Sequence, residues 1–367
     1  MSMVFTNDKK EVINMIFFKK YQIIKRIGTG AFSNVYLCKN LITKELFATK
    51  LELRYKKPQK TLENEAYILY NLNYEGIPKV ITFGYNGKYN ILVEELLGKS
   101  LFDIKLTHKF TIKDICLIGI QTLKIIEYIH SQYFIHCDIK PQNILVGYND
   151  SSKINLCDFG IAQKYRSSKT GKHIEMTKYK KAYITLFYSS INATLMYQPS
   201  RRDDLESLAY VLISLYKGLP WDKVKSKNIE EVSKKIIDMK LNIDTKIVCE
   251  GMPSEIGEFL KYTRSLDFEE KPNYSYLLNL FYQILNNISE INDYVFSWST
   301  ENKKHKKEFT SYYNPVYYDK EIWDNSKEER KINKEFFNTF YSKSQKGAKN
   351  INQLGFDLDL IKNKLMD

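Results

Sequence analysis

One stretch near the middle of the chain gathers side chains whose chemistry belongs together. It reads Ile135-His136-Cys137-Asp138-Ile139-Lys140-Pro141-Gln142-Asn143-Ile144-Leu145, and fifteen residues after Asn143 comes Asp158-Phe159-Gly160. Asp138 is a carboxylate able to take a proton from a hydroxyl. Lys140 is a cation able to neutralise charge on a phosphoryl group in flight. Asn143 and Asp158 are hard oxygen ligands of the kind Mg²⁺ requires. A chance turn with polar residues would not supply base, cation and two ligands in this order.

Two weaker signals lie upstream. Ile27-Gly28-Thr29-Gly30-Ala31-Phe32-Ser33-Asn34-Val35 carries a glycine pair, which lets a backbone turn tightly and bring its N–H groups to phosphate oxygens. Alone, such a pair is often only a hairpin turn. It stands between two strands and not before a helix, so it is neither the dinucleotide fingerprint nor the P-loop. Lys50 ends the apolar run Phe47-Ala48-Thr49-Lys50, and Glu63 follows thirteen residues on in a helical pattern. A strand Lys paired with a helical Glu can hold the α- and β-phosphates of a nucleotide. Glu65 competes with Glu63 as that partner.

These residues need elements to position them. From Tyr21 to about Leu97 the pattern is β-rich, with alternation over Tyr21–Ile27, Val35–Cys38 and Leu46–Leu51. Thr61 to Leu72 interrupts it with a helix whose Leu62, Ala66, Leu69 and Leu72 lie near one face. Strands are expected again over Lys79–Phe83 and Tyr89–Glu94, joined by Tyr85-Asn86-Gly87-Lys88. After Gly98 the character becomes helical, with stripes over Ile115–His130, Leu205–Tyr216, Glu255–Ser265 and Tyr276–Ile288. The expected organisation is an N-terminal extension (1–20), a domain over 21–298 split into a β-rich part (21–97) and an α-rich part (98–298), and a polar tail (299–367). Two short helices are expected in the tail, at Lys327–Tyr341 and Ile351–Leu365.

The chain has 367 residues, 43 % of them hydrophobic and 14 % aromatic, which suits a globular protein and excludes a disordered one. Its net charge of +13 invites an acidic partner such as nucleic acid, a membrane surface or a phosphorylated protein, but a general Lys richness explains it equally well. No base-reading module accompanies that charge, so specific nucleic-acid binding is not expected. Five scattered cysteines without CxxC spacing argue against disulfides and zinc, and for a reducing compartment, cytoplasm or nucleus. The apolar run Val12–Phe18 is too short for a signal peptide or a membrane span. A soluble, intracellular monomer is expected.

Taken together, these motifs resemble a eukaryotic-type protein kinase, and specifically the casein kinase I family. The family features are Glu95-Leu96-Leu97-Gly98-Lys99-Ser100-Leu101, the run from Lys164-Tyr165-Arg166 to Thr170-Gly171-Lys172-His173-Ile174, and Ser190-Ile191-Asn192 where most kinases carry Ala-Pro-Glu. Ser200-Arg201-Arg202-Asp203-Asp204-Leu205-Glu206, Gly218-Leu219-Pro220-Trp221, Pro253-Ser254-Glu255, Arg264-Ser265-Leu266, Lys271-Pro272-Asn273-Tyr274 and Asp293-Tyr294-Val295-Phe296 add to them. The resemblance covers about 21–298. It implies an α+β bilobal kinase fold, with a small β-rich lobe holding one main helix and a larger α-helical lobe. It also implies ATP, Mg²⁺ and transfer of the γ-phosphoryl group to Ser or Thr of protein substrates. The catalytic set it implies is Asp138, Lys140 and Thr185, with Asn143 and Asp158 on the metal. For ATP it implies Ile27, Gly28, Gly30, Val35, Ala48, Lys50, Glu63, Glu94, Glu95, Leu97 and Leu145: Glu95 and Leu97 at the hinge, and Ile27, Val35, Ala48 and Leu145 around adenine. Asp204 matches the buried Asp that holds the catalytic loop, and His136 a structural His.

Five positions depart from that family. Cys137 replaces the Arg beside the catalytic Asp, Gln163 a Lys of the same anion site, and Phe187 an Arg that contributes to recognition of substrate phosphate. Lys164, Arg166, Lys178, Lys180 and Lys181 keep that region basic, so acidic or phosphorylated substrates stay open. Ser33 replaces the third loop Gly. Glu94 stands at the gatekeeper position, where a buried carboxylate must find a partner: Lys50, water or the adenine amino group. These changes motivate a second reading, a pseudokinase scaffold that binds partners without turnover.

Overall fold

The computed structural model describes residues 12–29, 33–54, 61–167, 169–179, 185–224 and 229–301. Gly30, Lys180, Lys181, the Lys303–Lys307 run and both expected tail helices lie outside these residues. The described chain divides into two compact units, one of residues 12–73 and 78–97, the other of residues 74–77 and 98–301.

The first unit is an antiparallel sheet with one helix. Its strands are β1 (Ile16–Phe17), β2 (Tyr21–Thr29), β3 (Asn34–Asn40), β4 (Leu46–Leu53), β5 (Val80–Asn86) and β6 (Tyr89–Glu95), in the order β1-β2-β3-β4-β6-β5. Alternation decides which side chains go inside, because successive residues of a strand point to opposite faces. Tyr21 and Ile23, Tyr36 and Cys38, Leu51, Ile91 and Val93 pack into one buried cluster. The opposite face carries the residues of interest. Val35 is registered against Lys50, and Ala48 against Glu94. Opposed residues of an antiparallel pair share a face, so Val35, Ala48, Lys50 and Glu94 lie on one side of the sheet.

Helix α1 (Thr61–Asn71) joins this unit through Leu62, Glu65, Ala66 and Leu69, a stripe of helical period that is buried along its length. Its N-terminus is anchored by Glu52, whose carboxylate accepts from the Thr61 hydroxyl and the Leu62 N–H. Asn90 donates to the other oxygen of Glu52 at 3.0 Å. A carboxylate at a helix start satisfies N–H groups that have no partner within the helix.

The run Val12–Phe18 has a use that its sequence did not disclose. Val12 and Phe17 are buried in the same cluster as Ile23 and Leu51, and β1 pairs with β2 through Ile16–Gln22 and Phe17–Tyr21. Phe17 stacks on Tyr21 with ring centroids 5.6 Å apart. Residues 12–20 are thus the edge of the sheet.

The second unit is mainly helical. Its principal helices are α2 (Ile112–Ser131), α3 (Arg201–Tyr216), α4 (Ile229–Asn242), α5 (Ser254–Ser265) and α6 (Tyr274–Asn287). Helix α2 starts in a capping box between Thr111 and Asp114. It packs on α6 so closely that a Cβ on Gly119 would stand 2.5 Å from the Phe281 ring, which makes glycine a requirement there. Helix α3 is buried on nearly every side, so its charged residues Arg201, Asp203, Asp204 and Glu206 each need a partner inside the protein. Short strands complete the unit: β7 (Leu97–Ser100), β8 (Phe134–Ile135), β9 (Ile144–Gly147), β10 (Ile154–Leu156) and β11 (Gln163–Lys164). Beta strands β10, β9 and β7 form one small sheet, β11 and β8 another. No helix among the described residues is long and apolar enough to cross a membrane.

Burial of Phe17 at 2 % exposure generates a test of the first unit. Phe17→Ala should lower the stability of the protein by about 3–5 kcal/mol, read by denaturant unfolding. An unchanged midpoint would show that residues 12–20 are an appendage.

Candidate active site

In the first unit, the side chain of Lys50 is buried and meets two carboxylates. Its Nζ lies 2.5 Å from Glu65 Oε1 and 3.2 Å from Glu94 Oε1. Both contacts follow from geometry already given. Glu65 belongs to the buried stripe of α1, whereas Glu63 is two residues earlier, about 200° around the helix, and only half-buried. The expected pairing of Lys50 with Glu63 is therefore corrected to Glu65. Glu94 is registered opposite Ala48, which makes it a diagonal neighbour of Lys50 on the same face. Lys50 is thus one partner of the buried Glu94 carboxylate.

The other residues read as nucleotide-binding take simple positions. Gly28 is registered against Val35 across the β2–β3 hairpin, and Ile27 beside it is 45 % exposed. Glu95 ends β6, exposed, with its N–H on the Lys79 carbonyl at 2.9 Å. Leu97 begins β7, and Leu145 lies half-buried on β9, opposite Asn155. Gly98 follows Leu97 where a Cβ would stand 2.9 Å from the Val146 side chain and 3.0 Å from the Gly147 carbonyl. A side chain there would push β7 off β9.

In the second unit, Asp138 is the focus of three donors. Lys140 Nζ stands 2.7 Å from Oδ2, Asn143 Nδ2 donates to the same oxygen at 3.1 Å, and the Thr185 hydroxyl donates to Oδ1 at 2.6 Å. Asn143 also donates to the Asp138 carbonyl at 2.9 Å. Burial alone would lower the ammonium of Lys140, but Asp138 beside it more than offsets this and raises it. Lys140 is thus a permanent cation at neutral pH.

Asn143 spends its NH₂ group on Asp138, so the oxygen of its amide is what it offers a cation. Asp158 comes next to it because the Cys157 N–H bonds the Asn143 carbonyl at 2.9 Å. These hard oxygens fit Mg²⁺, which takes one or two protein oxygens and completes its shell with phosphate and water. Asp158 has φ +66° and Cys137 φ +68°, the left-handed region that a non-glycine residue occupies only when its surroundings hold it.

The holding group is Asp204. Its Oδ2 accepts from the His136 N–H at 2.7 Å and from His130 Nε2 at 2.9 Å, and its Oδ1 accepts from the Cys137 N–H at 2.8 Å. Burial works against the charged form of Asp204, but the bond from His130 and the nearby donors outweigh it and pull its pKa below the usual carboxylate value. Burial pushes both imidazoles down, so they are neutral near pH 7. Their partners fix the tautomers. His130 donates from Nε2 to Asp204 and accepts at Nδ1 from Tyr274, 2.7 Å away. His136 donates from Nε2 to the Cys157 carbonyl at 3.1 Å and accepts the Asp138 N–H at Nδ1. The ring of His136 also meets Phe159 edge-on at 4.7 Å. A single imidazole thereby ties Asp138 to the residue preceding Asp158.

The Cys137 thiol meets an uncharged side chain. Gln163 donates to the Cys137 sulfur at 3.6 Å and accepts from Tyr179 at 3.5 Å, while burial pushes the thiol well above its usual pKa. Sequence reasoning missed His130, which sat at the end of a helical stripe, and Lys240, an ordinary Lys in a polar helix. Nothing in their spacing marks them; only α2 and α4 folding onto the loop and onto segment 185–189 does.

The Asp204 clamp is testable. Asp204→Asn should cost roughly 3 kcal/mol at pH 7, because one acceptor oxygen replaces two and the remaining donors stay buried. A depressed carboxylate stabilises the fold above its unfolded pKa of about 3.8 and loses that contribution as pH falls through the folded value. The stability gap between wild type and variant, measured by urea unfolding, should therefore shrink below pH 4. A gap that persists at lower pH would remove the carboxylate from the explanation.

The family comparison agrees with this geometry. A protein kinase domain model matches residues 21–282, beginning at β2 and ending within α6. A match over most of the chain, on a β-rich unit followed by a helical one, makes this chain a member of the protein kinase family, whose chemistry is phosphoryl transfer from ATP, usually with a divalent metal.

Proposed function

We propose that the protein is a serine/threonine protein kinase of casein kinase I type. The observation that carries this reading is the arrangement at Asp138, where one carboxylate is oriented by Lys140, Asn143 and Thr185 together. A base held by three donors keeps one orientation and sheds little entropy when a hydroxyl arrives.

The reaction follows from the residues. The hydroxyl oxygen of a Ser or Thr side chain bonds to the γ-phosphorus of ATP. The bond from that phosphorus to the bridging oxygen breaks, ADP leaves with the electron pair, and the hydroxyl proton passes to Asp138. Lys140 stands beside Asp138 as the cation for charge on the transferred group. Lys50, oriented by Glu65, is the cation for the α- and β-phosphates. Asn143 and Asp158 would hold Mg²⁺, which when bound offsets charge on the phosphate oxygens.

Protein substrates fit this reading, and the surroundings of Cys137 narrow them. The side-chain contacts of Cys137 and Gln163 among the described residues are uncharged, so Cys137, Gln163 and Phe187 argue against a requirement for substrates already phosphorylated. The five cysteines are free, which supports a reducing location such as the cytoplasm or nucleus.

The pseudokinase alternative has one observation in its favour. Lys50 is shared between Glu65 and Glu94, and a second buried carboxylate competes with nucleotide phosphates for it. Comparison of wild type with Asp138→Asn decides between the two. Transfer of labelled phosphate from MgATP to Ser and Thr peptides, acidic, neutral and prephosphorylated, should fall by about 10²–10⁴-fold in the variant. Equal transfer by both proteins would sink the enzyme reading and leave the scaffold.

A further inference from the structure

The segment 185–191 is held at every residue, and each anchor comes from elsewhere in the helical unit. The Thr185 hydroxyl is on Asp138. The Phe187 carbonyl accepts from Trp221 Nε1 at 3.0 Å, and the Tyr188 hydroxyl lies 3.3 Å from that of Ser214. The Ser190 hydroxyl donates to Asp203, and the Ile191 N–H to Glu206 at 3.1 Å. The remaining two residues, Leu186 and Ser189, present carbonyls that converge on one atom: Lys240 Nζ donates to them at 2.7 and 2.5 Å.

Lys240 is an uncommon choice for this place. It lies on α4 and is 1 % exposed. Among the described residues no carboxylate comes within 4.0 Å of it. Its ammonium sits over two aromatic faces instead, 4.9 Å from the Tyr210 centroid and 5.2 Å from that of Trp221. Burial pushes its pKa down to about 7, with Arg264 adding to the effect and Glu206 opposing it. A buried cation without an ion-pair partner is costly, and an apolar side chain would pack the same space. Two carbonyls pointing at one spot explain its presence, since an ammonium carries three donors on a single atom.

The same segment folds back on Thr185. The N–H groups of Tyr188 and Ser189 both bond the Thr185 carbonyl at 2.9 Å. Holding the carbonyls of Leu186 and Ser189 therefore fixes the turn that delivers the Thr185 hydroxyl to Asp138. We propose that Lys240 is a positioning residue for phosphoryl transfer: by clamping 186–189 it sets Thr185 against the catalytic carboxylate. The inference rests on the kinase reading for its functional half, while its structural half stands without it.

The test combines exchange and kinetics on the full chain. Lys240→Met keeps the unbranched stem and removes all three donors. Amide hydrogen exchange at Tyr188 and Ser189 should quicken by about tenfold or more, while amides in the middle of α3 keep their rates. The kcat/KM for a Ser peptide should fall by about tenfold or more, with KM for ATP within roughly twofold of wild type. In a Thr185→Val background the further effect of Lys240→Met on kcat/KM should largely vanish, because both act through one contact. Should Lys240→Met fail to fold, Trp221→Phe removes the donor to Phe187 and shrinks the ring that Lys240 Nζ faces, and should move the same readouts in the same direction. Unchanged exchange at Tyr188 and Ser189, or full additivity with Thr185→Val, would overturn the proposal. If wild type transfers no more phosphate than Asp138→Asn, the kinase reading is what fails, and the exchange measurement alone decides the role of Lys240.

Discussion

The helical unit depends on one buried carboxylate. Asp204 takes three hydrogen bonds on two oxygens, and two of the donors are consecutive backbone N–H groups. Directly after these two N–H groups the chain turns through the left-handed region, at Cys137. The residue after that turn is Asp138. Without Asp204 the two N–H groups would be buried and unsatisfied, and the turn would lose the interaction that offsets its strain. The position of Asp138 is thus set by a residue 66 positions later in the chain, on a helix that is buried almost all round.

The first unit uses charge differently. Lys50 is held by Glu65 from the helix and Glu94 from the neighbouring strand. Two carboxylates around one ammonium in a buried place are stable only with good geometry. The geometry comes from strand register, which brings Glu94 diagonally beside Lys50, and from Glu52, which anchors the start of the helix carrying Glu65.

Much of this could be read before folding. The alternation of Tyr21–Ile27 and Leu46–Leu51, and the apolar stripes of Ile115–His130 and Leu205–Tyr216, follow from the periods of strand and helix. The residues around Asp138 announced their chemistry by type and spacing. Two readings did not survive contact with the fold. Glu63 looked like the partner of Lys50 because its offset along the chain was suitable, but the helix turns Glu65 onto the buried stripe. Residues 1–20 looked like an extension ahead of the domain, yet Phe17 packs in the core of the sheet. In both cases the deciding factor was which face of an element is covered, and local sequence carries little of that information.

The sequence by itself determined the inventory: two carboxylates, a lysine and an amide at fixed spacing, on a chain whose periodicity builds a β-rich part and then a helical one. Residue type and local period are sufficient for this, since both act over a few residues. Only the tertiary structure decided how the inventory is held: Asp204 on the backbone of His136 and Cys137, Glu65 on Lys50, and Lys240 beneath the carbonyls of Leu186 and Ser189. The physical reason is common to all three. A buried polar group must find a partner, and the partner is whatever the packing of distant elements brings within hydrogen-bond reach.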